Sequence, residues 1–169
     1  MYKIAHLISA GVIFCVGVIP VAQAASVQVA RASVAGSDLT ATARRLIPLA
    51  QRGDAHAQAV LGFMYANGRG VPQSHDVAID WYLQAAAQGD PTGQYLLGLM
   101  YDKGFGVTHN VIFAHKWLNL AAAHAPRQNR ENVLRLRDAV ASKMTRAQLE
   151  LAQQLAVDFV PSRRMSAGP

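Results

Sequence analysis

The feature that most constrains the fold of this chain is an internal repeat. The segment LGFMYANGRGV at 61–71 returns 36 residues later as LGLMYDKGFGV at 97–107. When residues 53–88 are aligned with 89–124, 15 positions are identical. A repeat of about this length indicates an array of helix pairs, in which each unit buries its apolar face against its neighbours. Such arrays usually bind other molecules along a shared surface.

Each repeat is expected to contain two helices, A and B, joined by a glycine loop. We predict helix A at 55–67 and helix B at 75–88 in the first unit, and at 91–103 and 111–124 in the second. Each predicted helix is preceded by a good N-cap side chain, and each helix A is followed by a glycine that can adopt the left-handed backbone conformation. These capping residues are Asp54, Ser74, Asp90, Asn110, Gly68 and Gly104.

Further helices are expected on both sides of the two units. The helix predicted at 38–52 ends in the same pattern as helix B, so it is the second helix of a degenerate unit, and Pro48 should kink it or delay its start. Two more helices are predicted at 127–142 and 145–160, the last opening with a capping box from Thr145 to Gln148. The result is an all-α fold, a short α-solenoid spanning 38–160 and closed by a C-terminal helical hairpin at 127–160.

The N-terminus has the pattern of a signal peptide. Lys3 precedes an apolar run, and Ala22 and Ala24 stand where a signal peptidase reads small residues, which predicts cleavage after residue 24. The protein is then periplasmic or secreted from a bacterium. The alternative is an uncleaved anchor, because the run is almost long enough to cross a bilayer. Residues 25–37 are predicted to be a disordered lead-in and 161–169 a tail.

Composition restricts the kinds of site that the exported chain could hold. Cys15 is the only cysteine, so cleavage would leave no disulfide and no thiolate metal site. The net charge is +6, and export argues against nucleic acid as the reason for it. Contact with an anionic membrane stays open, although a solvated basic helix face explains the charge equally well. The arginines concerned are Arg127, Arg130, Arg135, Arg137, Arg163 and Arg164.

The positions shared by the two repeats indicate how the helices pack. Gly62 and Gly98 would let helix B approach helix A closely, and four aromatic side chains would fill the space between helices. The aromatic positions are Tyr65, Tyr101, Trp81 and Trp117, and the remaining shared glycines are the loop residues Gly68, Gly70, Gly104 and Gly106.

These motifs resemble the Sel1-like repeat family, a relative of the tetratricopeptide repeat. Both units carry the Leu-Gly-x-x-Tyr core, the Gly-x-Gly-Val loop and Ala-x-x-Trp followed by Ala-Ala-Ala, so the resemblance covers about 53–126. The chain departs from it at Ser74 and Asn110, where the family favours an acidic residue. The resemblance implies an adaptor that scaffolds or regulates partner proteins, in bacteria often at the cell envelope, without a cofactor.

In tetratricopeptide-like arrays helix A lines a concave face that receives the partner. The resemblance carries the ligand-facing positions onto His56, Ala59, Val60, Phe63, Ala66 and Asn67, and onto Thr92, Tyr95, Leu96, Leu99, Asp102 and Lys103. Among these we predict an apolar floor of Phe63, Tyr95 and Leu99. Polar contacts would come from Asn67, Asp102 and Lys103. The alternative is that Phe63, Leu96 and Leu99 belong to the inter-helix core.

Catalytic and metal-binding motifs do not emerge from the sequence. No two of the six histidines have the i, i+4 spacing that would place both on one metal ion, and no metal site is predicted. Some exported proteins of the family are described as penicillin-binding or β-lactamase-like, which makes a small hydrolase the alternative to an adaptor. Neither Ser-x-x-Lys nor Gly-x-Ser-x-Gly occurs, so we expect no enzyme activity. A third hypothesis is an assembly scaffold held near the membrane by its arginines.

Overall fold

The computed structural model describes residues 38–162, and within this range every regular element is a helix. The helices are α1 at 38–51, α2 at Ala55–Asn67, α3 at His75–Ala87, α4 at Pro91–Lys103, α5 at Val111–His124, α6 at Arg127–Ala141 and α7 at Arg146–Val157. The all-α prediction is therefore confirmed. The predicted signal peptide, the lead-in and residues 163–169 of the tail lie outside the described residues. None of the helices described is long and apolar enough to span a membrane.

The capping residues set the bounds of the repeat helices, as the sequence predicts. The Asp54 carboxylate accepts the Ala57 N–H of α2 at 2.7 Å, and Asp90 accepts the Gly93 N–H of α4 at 2.7 Å. The C-terminal ends of α2 and α4 need a residue in the left-handed backbone conformation. Gly104 takes this conformation after α4 with φ 70°, and its N–H donates to the Met100 carbonyl. Each cap satisfies backbone groups that would otherwise be left without a partner at a helix terminus.

Helix α1 is helix B of a degenerate unit, as predicted. A Cβ at Gly70 would lie 2.3 Å from the carbonyl carbon of Leu39, near the start of α1. A Cβ at Gly106 would lie 2.9 Å from Cβ of His75, at the start of α3. Both pairs are offset by the same 36 residues. The predicted late start at Pro48 is wrong, because the helix begins at residue 38 and runs through this exposed proline to residue 51.

Within each unit, helix B packs on helix A at a glycine. A Cβ at Gly62 would lie 2.7 Å from the ring of Tyr82, and one at Gly98 would lie 2.9 Å from Cγ of Leu118. Both large side chains are fully buried. Their close approach requires a residue without a side chain on the opposite helix, because interiors are packed too densely to absorb extra atoms.

In both units the backbone carbonyl of the shared tyrosine binds the end of the glycine loop. The Tyr65 carbonyl accepts the Ser74 N–H at 2.9 Å, and the Tyr101 carbonyl accepts the Asn110 N–H at 3.0 Å, so each loop closes onto the end of its own helix A. Trp117 is buried in the main core, whereas Trp81 is partly buried against the smaller core beside α1.

The two C-terminal helices cap the second unit through α5, and they make few contacts with each other. Helix α6 begins 36 residues after α4, so it occupies the place of a third helix A. The chain after α7 contacts both units: the Phe159 ring packs edge-on to Trp117 of α5 at 5.3 Å, and the Ser162 N–H donates to the Ala87 carbonyl of α3 at 2.8 Å. Ser162, which was predicted to lie in a tail, is thus hydrogen-bonded to α3.

Candidate functional site

One open groove runs across three helices of type A, and we call it the A-helix groove. Its volume is about 700 Å³. Helices α2, α4 and α6 each contribute side chains to its lining. The lining residues are His56, Val60, Phe63, Asp90, Pro91, Thr92, Tyr95, Leu96, Ala125, Pro126, Asn129, Asn132 and Val133.

The floor of the groove is apolar and partly exposed. Phe63 on α2 is 36% exposed, and Tyr95 and Leu96 on α4 are half-buried. The guanidinium carbon of Arg69 lies 5.3 Å from the centre of the Phe63 ring, a cation–π distance that holds the arginine beside this wall. Val133 of α6 is buried at the opposite wall. The groove therefore offers apolar surface that a partner can cover.

Charge in the groove is confined to the start of α4. The Asp90 carboxylate caps this helix, and its second oxygen lies 3.9 Å from Nδ1 of His56. The Asp90 side chain is 11% exposed, whereas that of His56 is 76% exposed. No lysine or arginine belongs to the lining residues. A segment bound in most of the groove would thus meet neutral groups.

The structure separates the predicted partner-binding residues into two groups. Phe63 and Tyr95 line the A-helix groove, together with four of the other ligand-facing positions, namely His56, Val60, Thr92 and Leu96. Leu99, Asn67, Asp102 and Lys103 lie outside it. The Asn67 side chain instead donates to the Phe63 carbonyl of its own helix at 2.8 Å.

Asp102 has a structural environment at the far end of α4. Its carboxylate accepts from Nζ of Lys143 at 2.9 Å and lies 3.1 Å from Nζ of Lys103. Burial of Asp102 acts to raise its pKa, but the hydrogen bonds and charges of the two lysines outweigh this and lower the pKa overall. The carboxylate thereby ties α4 to the link between α6 and α7.

Sequence reasoning missed the third wall of the groove, which α6 supplies through Asn129, Asn132 and Val133. One signal could have revealed it. Asn132 follows Leu96 by 36 residues, as Leu96 follows Val60, and all three line the groove. The spacing of the repeat thus continues for one helix after its identical residues have ended.

The basic face of α6 is partly neutralised by its own helix. Arg135 pairs with Glu131 one turn earlier, and Arg137 binds Asp138 at 2.7 Å and Asn119 of α5 at 3.3 Å. Exposed pairs of this kind contribute little to stability, but they reduce the free positive charge on the surface. Arg163 and Arg164 lie outside the described residues.

The described residues with shifted pKa values lie away from the groove. Burial raises the pKa of Tyr82 and lowers that of Lys116, and the pKa values of Asp102 and His115 are also lowered. None of these groups lines the groove. Within residues 38–162, no three histidine, aspartate or glutamate side chains gather in a group that could hold a metal ion.

Known proteins share both the sequence and the fold of the repeats. The Sel1 repeat model matches residues 55–90 and 91–125. A protective antigen of uropathogenic Escherichia coli strains, with a Sel1-like repeat fold, is 27% identical with a TM-score of 0.66, over 71% of this chain and 25% of that one. A Sel1 repeat protein from Oxalobacter formigenes is 36% identical with a TM-score of 0.51, over 52% of this chain and 25% of that one.

The chain thus matches about a quarter of the length of either solved structure. Among curated protein sequences, none matches it. The two matched repeats coincide with the helix pairs α2–α3 and α4–α5. The chain therefore contains two Sel1 repeats, which together occupy residues 55–125.

Proposed function

We propose that this protein is an exported adaptor that binds a segment of a partner protein in the A-helix groove. Sel1 repeats generally mediate protein–protein interactions, which gives the class of function. The observation that carries the proposal is the groove itself, where α2 and α4 expose apolar side chains and α6 adds two asparagines around one open volume. A contiguous apolar surface with polar groups at its rim is typical of a binding site.

The groove is suited to binding because its walls are held before a partner arrives. Its side chains stand on helices whose packing is fixed by the buried contacts of Gly62 with Tyr82 and of Gly98 with Leu118. A preformed surface avoids much of the entropy loss that ordering a loop would add to association. The partner is a protein or peptide, and no cofactor takes part.

Photo-crosslinking from Tyr95 tests the location of the binding surface. A photoreactive phenylalanine analogue at Tyr95 is expected to capture a discrete partner protein in cells. The matched control is the same analogue at Leu83, a side chain 38% exposed on α3 and outside the groove. Equal capture from both positions, or capture only from Leu83, would contradict a binding site in the groove.

Export is the second part of the proposal, and the signal-peptide pattern of residues 1–24 supports it. We expect the mature protein in the periplasmic fraction or in the medium, with Ala25 as its first residue. Mass spectrometry of the intact protein from each cell fraction measures this. An intact N-terminus on protein recovered from the membrane would instead indicate the uncleaved anchor.

A small hydrolase of the penicillin-binding or β-lactamase class is the alternative function. The groove contains no serine or cysteine that could act as a nucleophile, and its only carboxylate caps a helix. These observations favour the adaptor. Turnover of nitrocefin by the purified mature chain, above that of a heat-inactivated sample, would overturn the adaptor proposal.

A further inference from the structure

Two asparagines of α6 differ from the other asparagines of the described chain. Asn67 and Asn119 make side-chain hydrogen bonds, and Asn110 caps α5. Asn129 and Asn132 make none with residues 38–162, and both line the A-helix groove. Both side chains are exposed, and these two unpaired asparagine carboxamides line the same open volume.

The spacing of the two carboxamides suits an extended backbone. Residues three apart on a helix face have Cβ atoms about 5–6 Å apart. In an extended peptide, backbone groups on the same edge recur every second residue, at about 6.6 Å. A carboxamide both donates and accepts, so each one can pair with the N–H and the C=O of one peptide residue. Asn129 and Asn132 can thus follow the edge of a single extended segment.

A helical ligand would leave this arrangement unused. The backbone groups of an α-helix are already paired within the helix, so a helical ligand could pair with Asn129 and Asn132 only through polar side chains. An extended segment has the opposite property, because its backbone groups need partners from outside. Its side chains also alternate between two faces, so that every second one can enter the floor at Phe63 and Tyr95.

The charge of the groove restricts the side chains of the segment. Asp90 and His56 are near one end, and the remaining lining side chains that face the bound segment are neutral. A basic side chain inserted over the floor would lose its hydration beside the Arg69 guanidinium, which lies 5.3 Å from the centre of the Phe63 ring, without gaining an opposite charge. An uncharged segment has no such penalty.

From these observations we propose that the A-helix groove holds an extended peptide segment that places no basic side chain over the floor. Apolar side chains at alternate positions lie on the floor, and the backbone of the segment pairs with Asn129 and Asn132. This inference rests on the proposed function, since it specifies the form and chemistry of the partner that binds there.

The test begins with acetylated and amidated peptides selected from a random displayed library against the full chain. Fluorescence polarisation then measures their affinity for the wild type and for Asn129→Ala, Asn132→Ala and Tyr95→Ala. Each asparagine variant is expected to weaken binding about ten-fold, the loss of roughly one pair of hydrogen bonds. Gln128→Ala is the matched control, an exposed carboxamide on the same helix but outside the groove, and should bind as the wild type does.

A second measurement uses the selected peptide instead of the protein. Methylation of backbone nitrogens, one at a time, removes one donor without changing the side chains. We expect loss of affinity at alternate positions only, because one edge of the segment faces α6. Thermal melts of all variants establish that each protein is folded.

The outcomes separate this inference from the proposed function. If Tyr95→Ala weakens binding while both asparagine variants and all methylated peptides bind normally, the groove is the binding site but the extended backbone pairing is wrong. Selected peptides that become helical on binding would also overturn it. If neither Tyr95→Ala nor the asparagine variants change affinity, or if no peptide is selected, both proposals fail.

Discussion

Unit 1 (55–88) and unit 2 (91–124) place a buried glutamine at the same position in helix A, yet the two side chains have different partners. The Gln58 amide donates to the Ala50 carbonyl at 3.0 Å and accepts from Gln88 at 2.7 Å. Gln94 donates to the Ala86 carbonyl at 3.4 Å, but its oxygen has no hydrogen-bond partner among the described residues. Both units therefore have the bond that crosses to the preceding helix, whereas the two bonds within the unit, to Gln84 and Gln88, occur only in unit 1.

A second difference lies in helix B, where Ile79 of unit 1 corresponds to His115 of unit 2. Both side chains are buried, at 5% and 3% exposure, and Nδ1 of His115 has no partner among the described residues. Unit 2 thus places an imidazole where unit 1 places an apolar side chain. The comparison teaches that the identical residues build the packing within and between helices, while the differing residues adapt each unit to the neighbour it meets.

The largest effect is expected where the two units agree. Replacing Gly98 by Leu would drive a side chain into Leu118, whose Cγ would lie 2.9 Å from the new Cβ. We expect destabilisation of about 3 kcal/mol, the upper part of the range for overpacked cores. Denaturant unfolding measures it, and Gly62→Leu is the matched change in unit 1, with Tyr82 as the obstacle. A Gly98→Leu protein as stable as the wild type would refute the proposed packing.

The next effect concerns the buried imidazole and depends on pH. Burial and then the charge of Arg137 lower the pKa of His115, while Asp138 acts in the opposite direction. Below the ordinary pKa of about 6.5, the unfolded chain then binds more protons at this site than the folded one, so stability is lost as the pH falls. Above that pH the contribution of His115 to stability is fully present.

His115→Ile copies the residue of unit 1 into unit 2. We expect a gain of about 1 kcal/mol at neutral pH, because an unpaired buried polar atom is removed. The gain should grow from about pH 7 to pH 5, since the variant has no imidazole to protonate. Urea unfolding across this range measures it, with the exposed His109→Ala as control. A difference from the wild type that stays constant with pH would show that His115 does not titrate in this way.

The smallest effect distinguishes the two glutamine environments. Gln88→Ala removes the donor to the Gln58 oxygen and should cost about 1 kcal/mol, since a buried acceptor loses its partner. His124→Ala changes the corresponding position of unit 2 and should cost less than about 0.5 kcal/mol, as surface substitutions usually do. Equal losses in thermal melts of the two variants would mean that the Gln58 bonds contribute nothing particular to unit 1.

Much of the fold could be predicted because each helix boundary carries its own chemical signal. Asp54 and Asp90 cap helix A in both units, and Ser74 and Asn110 cap helix B, so the bounds follow from local hydrogen bonds. Pro48 is the exception: a proline is unfavourable inside a helix, yet α1 continues through this residue to residue 51.

Contacts between distant segments were not predictable in the same way. Phe159 packs on Trp117 and Ser162 donates a hydrogen bond to Ala87, and no local sequence pattern predicts either contact. A comparison of identical residues in the two units does not single out Tyr82, because unit 2 has Leu118 at the same position. Tyr82 is nevertheless the residue that opposes Gly62.

The candidate site could be predicted only in part, for a related reason. Phe63 and Tyr95 lie on helices that the repeat defines, and both line the groove. Asn129 and Asn132 lie on α6, which shares none of the repeat motifs. Because they are polar, they also contribute nothing to the apolar periodicity from which a helix face is predicted. Only the 36-residue spacing of the helix starts connects α6 to α2 and α4.

The most direct test of the central claim is a map of amide chemical shifts in the mature protein, titrated with a peptide selected from the displayed library. If the A-helix groove is the binding surface, the large changes will fall on α2, α4 and α6, and the side-chain amide signals of Asn129 and Asn132 will shift with them. Changes concentrated on α3, α5 and α7, with those two side-chain signals unmoved, would contradict the account.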